Sequence, residues 1–96
     1  MQPELQAAIE ALWGDARPRL LARVEALQAS SHGELAGSER ERAAVEAHTL
    51  AGTLGAFGRA AASAAARDAE RAIECSDREA LAAAVRTLRA ALEGSP

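Results

Sequence analysis

Imidazole can be an uncharged nucleophile at neutral pH, and the 96-residue sequence carries two, His32 and His48. His48 sits in the run Ala47-His48-Thr49-Leu50. Around it Ala43, Ala47, Leu50, Leu54 and Phe57 follow one another at alternating four- and three-residue steps, the seam of a helix packed in a bundle. His48 follows Ala47 by one position and precedes Leu50 by two, so it is rotated off that seam toward solvent. Its neighbours on the same face, at offsets of three, four and seven, are Ala44, Val45, Ala51, Gly52 and Gly55. None has a long side chain, and another protein could approach the ring closely. Gly52 and Gly55 each cost roughly 1 kcal/mol relative to Ala inside a helix. A helix that serves only as scaffold has little reason for both, whereas beside a reactive ring they let a partner's active site enclose a ring nitrogen. The chemistry suited to such a ring is in-line acceptance of a phosphoryl group, from an aspartyl phosphate or a nucleotide-bound kinase.

The other reactive residue types lack comparable support. His32 lies in the Ser- and Gly-containing stretch Ser30-Ser31-His32-Gly33 and reads as a solvated turn residue. Cys75 has no second cysteine and no nearby histidine in sequence, so neither a redox pair nor a metal site is built from it. Trp13 reads as a packing plug. The stretch Arg67-Asp68-Ala69-Glu70-Arg71 reads as a solvated helix face with short-range ion pairs. The sequence has no Gly-rich phosphate loop, no nucleophile beside a base and orienter, and no metal-ligand cluster, so an independent enzyme is disfavoured and neither cofactor nor metal is expected.

Helices must position His48. Leu5, Ile9 and Leu12 form one apolar stripe over Pro3 to Trp13, a short first helix interrupted at Gly14-Asp15. Asp15 then caps a second helix that tolerates Pro18 in its first turn and buries Leu20, Val24 and Leu27 before ending near Ser30. A loop is expected to about Gly37. Ser38-Glu39-Arg40-Glu41 and Ser76-Asp77-Arg78-Glu79 each read as a capping box, opening the His48 helix and the last one. Between them a helix from about Arg59 to Glu74 has a mostly Ala face ending at Ile73. The last, Asp77 to Glu93, aligns Leu81, Val85, Leu88 and Leu92. The expected fold is all-α, an antiparallel up-down four-helix bundle with a short N-terminal helix, one domain over 1–96 with 93–96 a tail or linker.

Composition narrows the partners. Hydrophobic residues make up 49% of the chain but Trp13 and Phe57 are the only aromatics, so the core is aliphatic and rich in Ala. The net charge of −3 lacks the basic stripe that draws a protein to nucleic acid. With a single cysteine, no long apolar run and no secretion-signal pattern, the expectation is a cytoplasmic protein that does not enter the membrane. All eleven basic residues are Arg, a bias that with the Ala richness suits a GC-rich bacterial genome.

The run Ala47-His48-Thr49-Leu50-Ala51-Gly52-Thr53-Leu54-Gly55-Ala56-Phe57-Gly58 resembles the signature of histidine-containing phosphotransfer (HPt) domains: an exposed His, Leu two residues on, a basic residue, Gly, and a later Gly at the helix end. The order of helices extends the resemblance over essentially the whole chain. It implies a phosphocarrier of two-component signalling, with His48 the covalent acceptor and response-regulator receiver domains or a histidine kinase as partners supplying metal, aspartate and catalysis. Ala44, Val45, Ala51, Gly52 and Gly55 would form the docking surface. The departure is Ala51, where the family often has Lys. Either Arg59, or an Arg elsewhere on the bundle, steadies the phosphoryl oxygens, or the domain transfers more weakly and serves chiefly as a docking surface. The alternatives to a relay carrier are a non-phosphorylated docking module for receiver domains and a domain phosphorylated directly by a histidine kinase.

Overall fold

In a computed structural model the described residues, 2–33 and 36–94, form four helices: α1 (Pro3–Ser30), α2 (Gly37–Ala56), α3 (Ala60–Glu74) and α4 (Arg78–Glu93). The expected loop residues 34 and 35, and 95 and 96 of the expected tail, lie outside that description. The helices pack in a bundle-like arrangement, most extensively α2 on α3 and α3 on α4, with α1 laid against α4 and α2.

The break expected at Gly14-Asp15 is absent, and the two N-terminal helices of the sequence reading are one helix of 28 residues. Its buried positions, Trp13, Ala16, Leu20, Val24 and Leu27, run through the Gly-Asp pair at steps of three and four, so one continuous face reaches the core. Burial along that face outweighs the local penalties of Gly14 and Pro18, both of which stand on the exposed side. Pro18 has no N–H, so the Gly14 carbonyl loses its intrahelical donor there. Upstream of Trp13 the stripe is uncovered: Leu5 and Leu12 are exposed and Ile9 half-buried. At 1.5 Å per residue α1 is ~42 Å long against ~30 Å for α2, which matches a longest molecular dimension of 46 Å.

The core is aliphatic as composition requires. Leu27, Leu50, Leu54, Ile73, Leu81, Leu88, Leu92, Val24 and Val85 are its largest fully buried side chains, each contributing roughly 1.5–3 kcal/mol by burial. On α3 the inward face is Ala62, Ser63, Ala65, Ala66, Ala69, Ala72 and Ile73, and such short side chains let neighbouring backbones come close. The Ala face is thus spent inside the bundle.

Helix ends follow chemistry other than the two expected capping boxes. α2 starts at Gly37 with Ala36 at the N-cap and no side-chain cap bond. Asp77, not Ser76, caps α4, its Oδ1 accepting from the Ala80 N–H at 3.0 Å. Ser76 instead belongs to the end of α3: it takes φ +53°, and the Asp77 N–H reaches back to Ala72 O at 2.9 Å. Gly58, at φ +74°, does the same for α2, where the Gly58 N–H bonds Gly55 O and the Arg59 N–H bonds Leu54 O. Arg17 of α1 closes the far end of α4, donating from Nε to Leu92 O at 2.8 Å and from Nη2 to Glu93 O at 2.9 Å, a cation on the negative end of a helix.

The continuity of α1 makes Pro18→Ala informative. Restoring the N–H inside an unbroken helix raises stability by about 1–3 kcal/mol, seen as a higher urea midpoint with unchanged slope. A helix that began at Asp15 would hold Pro18 in its first turn and show no gain.

Candidate functional site

His48 lies in the middle of α2, on the face opposite Ala47, Leu50 and Leu54, and its side chain is 76% exposed. Alignment of that seam with the core decides the exposure: the ring is left over once the apolar positions are buried. One turn earlier Val45 is 66% exposed, an uncommon setting for an apolar branched side chain. Gly52 and Gly55 are exposed and Ala44 is half-buried. A Cβ built on Gly52 would meet nothing within 4 Å, and one on Gly55 would touch only Ser63 Oγ at 3.5 Å. Packing within the chain therefore does not require either glycine.

Ala51 departs from the expectation that it would line the exposed surface. It is 3% exposed and belongs to the core cluster, because position 51 turns toward α3, where Ser63 Oγ donates to Ala51 O at 2.8 Å in a buried bond. The surface around the ring is thus Ala44, Val45, Gly52 and Gly55, with Ala51 beneath it.

The sequence reading missed Glu70. On α3 it is flanked by buried Ala66, Ala69 and Ile73, and both of its carboxylate oxygens lie 3.2 Å from His48 Nδ1. An ionised carboxylate only accepts hydrogen bonds, so Nδ1 is the donor in this contact, and in the neutral ring the lone pair is then on Nε2. Glu70 is 24% exposed, partly sheltered at the rim of the α2–α3 seam, while the ring it orients stands in solvent. Nothing in the spacing of residues 67–71 distinguishes Glu70 from an ordinary solvated acid. The signal lies in the pairing of two helices, which local periodicity does not carry.

Of the neighbouring cations, Arg71 is taken up by Asp68 on its own helix. Arg67 is exposed one turn before Glu70, on the same side of α3. Arg59 is elsewhere: its guanidinium carbon stands 4.3 Å from the centroid of Trp13, in a cation–π stack beyond the end of α2. Eight helical steps, ~12 Å of rise, separate His48 from Ala56 at that end.

His32 is exposed, as is the free Cys75. Trp13 is buried to 2% exposure and meets Phe57 edge-on at 5.3 Å, the packing role expected of it. No helix among the described residues is long and apolar enough to cross a membrane.

The chain matches no protein-family model, no curated protein and no solved structure.

The openness around Gly52 has a direct consequence. Gly52→Ala adds a methyl group to open space in a helix interior, so it stabilises the fold by about 0.5–1 kcal/mol in chemical denaturation. A loss of stability would mean that the position is packed.

Proposed function

We propose that this chain is a histidine phosphotransfer domain, carrying a phosphoryl group on His48 between receiver-domain aspartates. The observation that carries the reading is the imidazole itself: solvent-exposed at mid-helix, bonded at Nδ1 to Glu70 and open at Nε2. In the forward step the Nε2 lone pair attacks phosphorus in line, an N–P bond forms, the acyl P–O bond breaks, and the partner's aspartate leaves as carboxylate. The Nδ1 proton stays in place, and Glu70 offsets the positive charge the ring acquires. The reverse step transfers the group to a second aspartate. The chain contributes acceptor and orientation, and the partner contributes the metal and the rest of the catalysis.

The gap in side-chain volume at Gly52 and Gly55, with Val45 exposed beside it, supports a docking surface there for a receiver domain. Arg67 is our choice for the cation that position 51 lacks, since it shares a face of α3 with Glu70, whereas Arg59 is engaged with Trp13. We read the bundle as antiparallel and up-down. Ser63 bonds to Ala51 and Glu70 to His48, so contacts advance along α3 as they retreat along α2, and the α2–α3 and α3–α4 connections are short. A bacterial cytoplasmic relay is the setting this reading implies.

The test is phosphoryl uptake, with phosphorylated receiver domains in one arm and a histidine kinase with ATP in the other, following acid-labile, base-stable label. Label in the first arm supports the relay, and label only in the second moves the donor to a kinase. Binding without label in either arm leaves a docking module. His48→Gln removes all label while circular dichroism stays unchanged, because the ring is outside the core. Glu70→Ala slows transfer by about 10- to 100-fold, as losing an orienting partner does elsewhere. Arg67→Ala slows it by about fivefold, the effect of ~1 kcal/mol from one exposed charge.

A further inference from the structure

The end of the bundle beyond α2 holds a cavity of about 660 Å³ lined by Glu10, Trp13, Gly14, Arg17, Pro18, Leu21 and Arg59. Two of these residues carry an unusual deficit. Trp13 Nε1 and Arg59 Nε are each shut away from solvent without a hydrogen-bond partner among the described residues. Indole N–H and guanidinium N–H only donate, so neither can satisfy the other. The stack that holds Arg59 4.3 Å over the Trp13 ring keeps the two residues together in that lining. What the pair lacks is an acceptor.

Nearby groups do not provide one. Arg17 is another donor, and its Nε and Nη2 are already given to the Leu92 and Glu93 carbonyls. Glu10, the one carboxylate on the lining, stands on the exposed side of α1 and accepts a hydrogen bond from neither donor. Two arginines against one glutamate leave the lining with a net positive charge, which favours an anionic guest over a neutral one.

We propose that this cavity binds a small oxyanion, a carboxylate or phosphate group, which takes hydrogen bonds from Trp13 Nε1–H and Arg59 Nε–H. Both donors are covered in the free chain, so entry shifts the Arg59 side chain from its present stack, and the bound oxygens restore two hydrogen bonds that folding left unmade. The inference does not rest on the phosphotransfer reading. The site is removed from His48 and uses none of its partners.

Trp13 is the single tryptophan, so intrinsic fluorescence reports on this wall alone. The full chain is titrated with inorganic phosphate and with acetate at constant ionic strength made up by chloride. A saturable change in emission, together with a higher thermal midpoint, is expected with at least one of them. Response to phosphate alone assigns a phosphoryl group, and response to acetate assigns a carboxylate such as an acidic side chain or chain end. Arg59→Gln abolishes the saturable change in a variant whose circular dichroism is native, Arg59→Lys weakens it at least fivefold while keeping the charge, and His48→Gln leaves it intact. Emission that follows chloride as closely as the oxyanions, or a response that survives in Arg59→Gln, overturns the proposal. Should Arg59→Gln fail to fold, the comparison of phosphate and acetate with chloride on the native chain decides alone.

Discussion

Close approach of α2 and α3 is the constraint on which the arrangement at His48 depends. The inward face of α3 is almost entirely Ala, with Ser63 the one polar residue buried in it, and Ser63 donates to the Ala51 carbonyl across the seam. With longer side chains on that face the helix axes would separate. The Glu70 carboxylate, short and sheltered on one side by the helix itself, would then fall away from Nδ1. The composition that makes the core poor in aromatics is thus the one that brings an acid on one helix within 3.2 Å of a ring on another.

The same contact divides labour between the two ring nitrogens. Nδ1 is bonded to Glu70 and Nε2 makes no hydrogen bond among the described residues, so orientation is supplied from within the fold and the second nitrogen is left over. Glu70 is held by the burial of Ala66, Ala69 and Ile73 around it. His48 is held by that of Ala47, Leu50 and Ala51. Neither residue contributes to the core, yet the core determines the distance between them, and Gly52 and Gly55 clear the space on the outward side. In the proposed phosphotransfer role this separation lets a partner reach the nucleophile without disturbing its orientation.

α1 and the end of the bundle follow another logic. α1 accepts Gly14 and Pro18 in its interior because its buried face passes without interruption from Trp13 to Leu27. That continuity puts Trp13 under Arg59 and against Phe57, so the first large core residue of the chain closes the end of the bundle where α2 turns into α3. The guanidinium that the HPt resemblance made a candidate for the phosphate is occupied here by an aromatic face.

Much of the structure was legible in residue order. The all-helical class, the buried Leu and Val positions from Leu20 onward and the outward turn of His48 follow from a period of 3.6, a local property of the chain. The limits of the last two helices, within a residue, follow from the stop at Gly58 and the start signal at Ser76-Asp77, whereas the stripe of Leu5 and Leu12 is left exposed. Where local signals competed, tertiary burial decided. Gly14-Asp15 looked like a stop and is passed through, Ser38 and Ser76 looked like caps and are not, and Ala51 looked exposed and is covered by α3. Glu70 shows the limit most plainly. It follows His48 by 22 positions, and their contact exists only because two helices pack at one register and one spacing. A sequence records which residues a helix turns outward. Which outward residues meet across a seam is set by side-chain volumes summed over the whole interface, and only the folded bundle performs that sum.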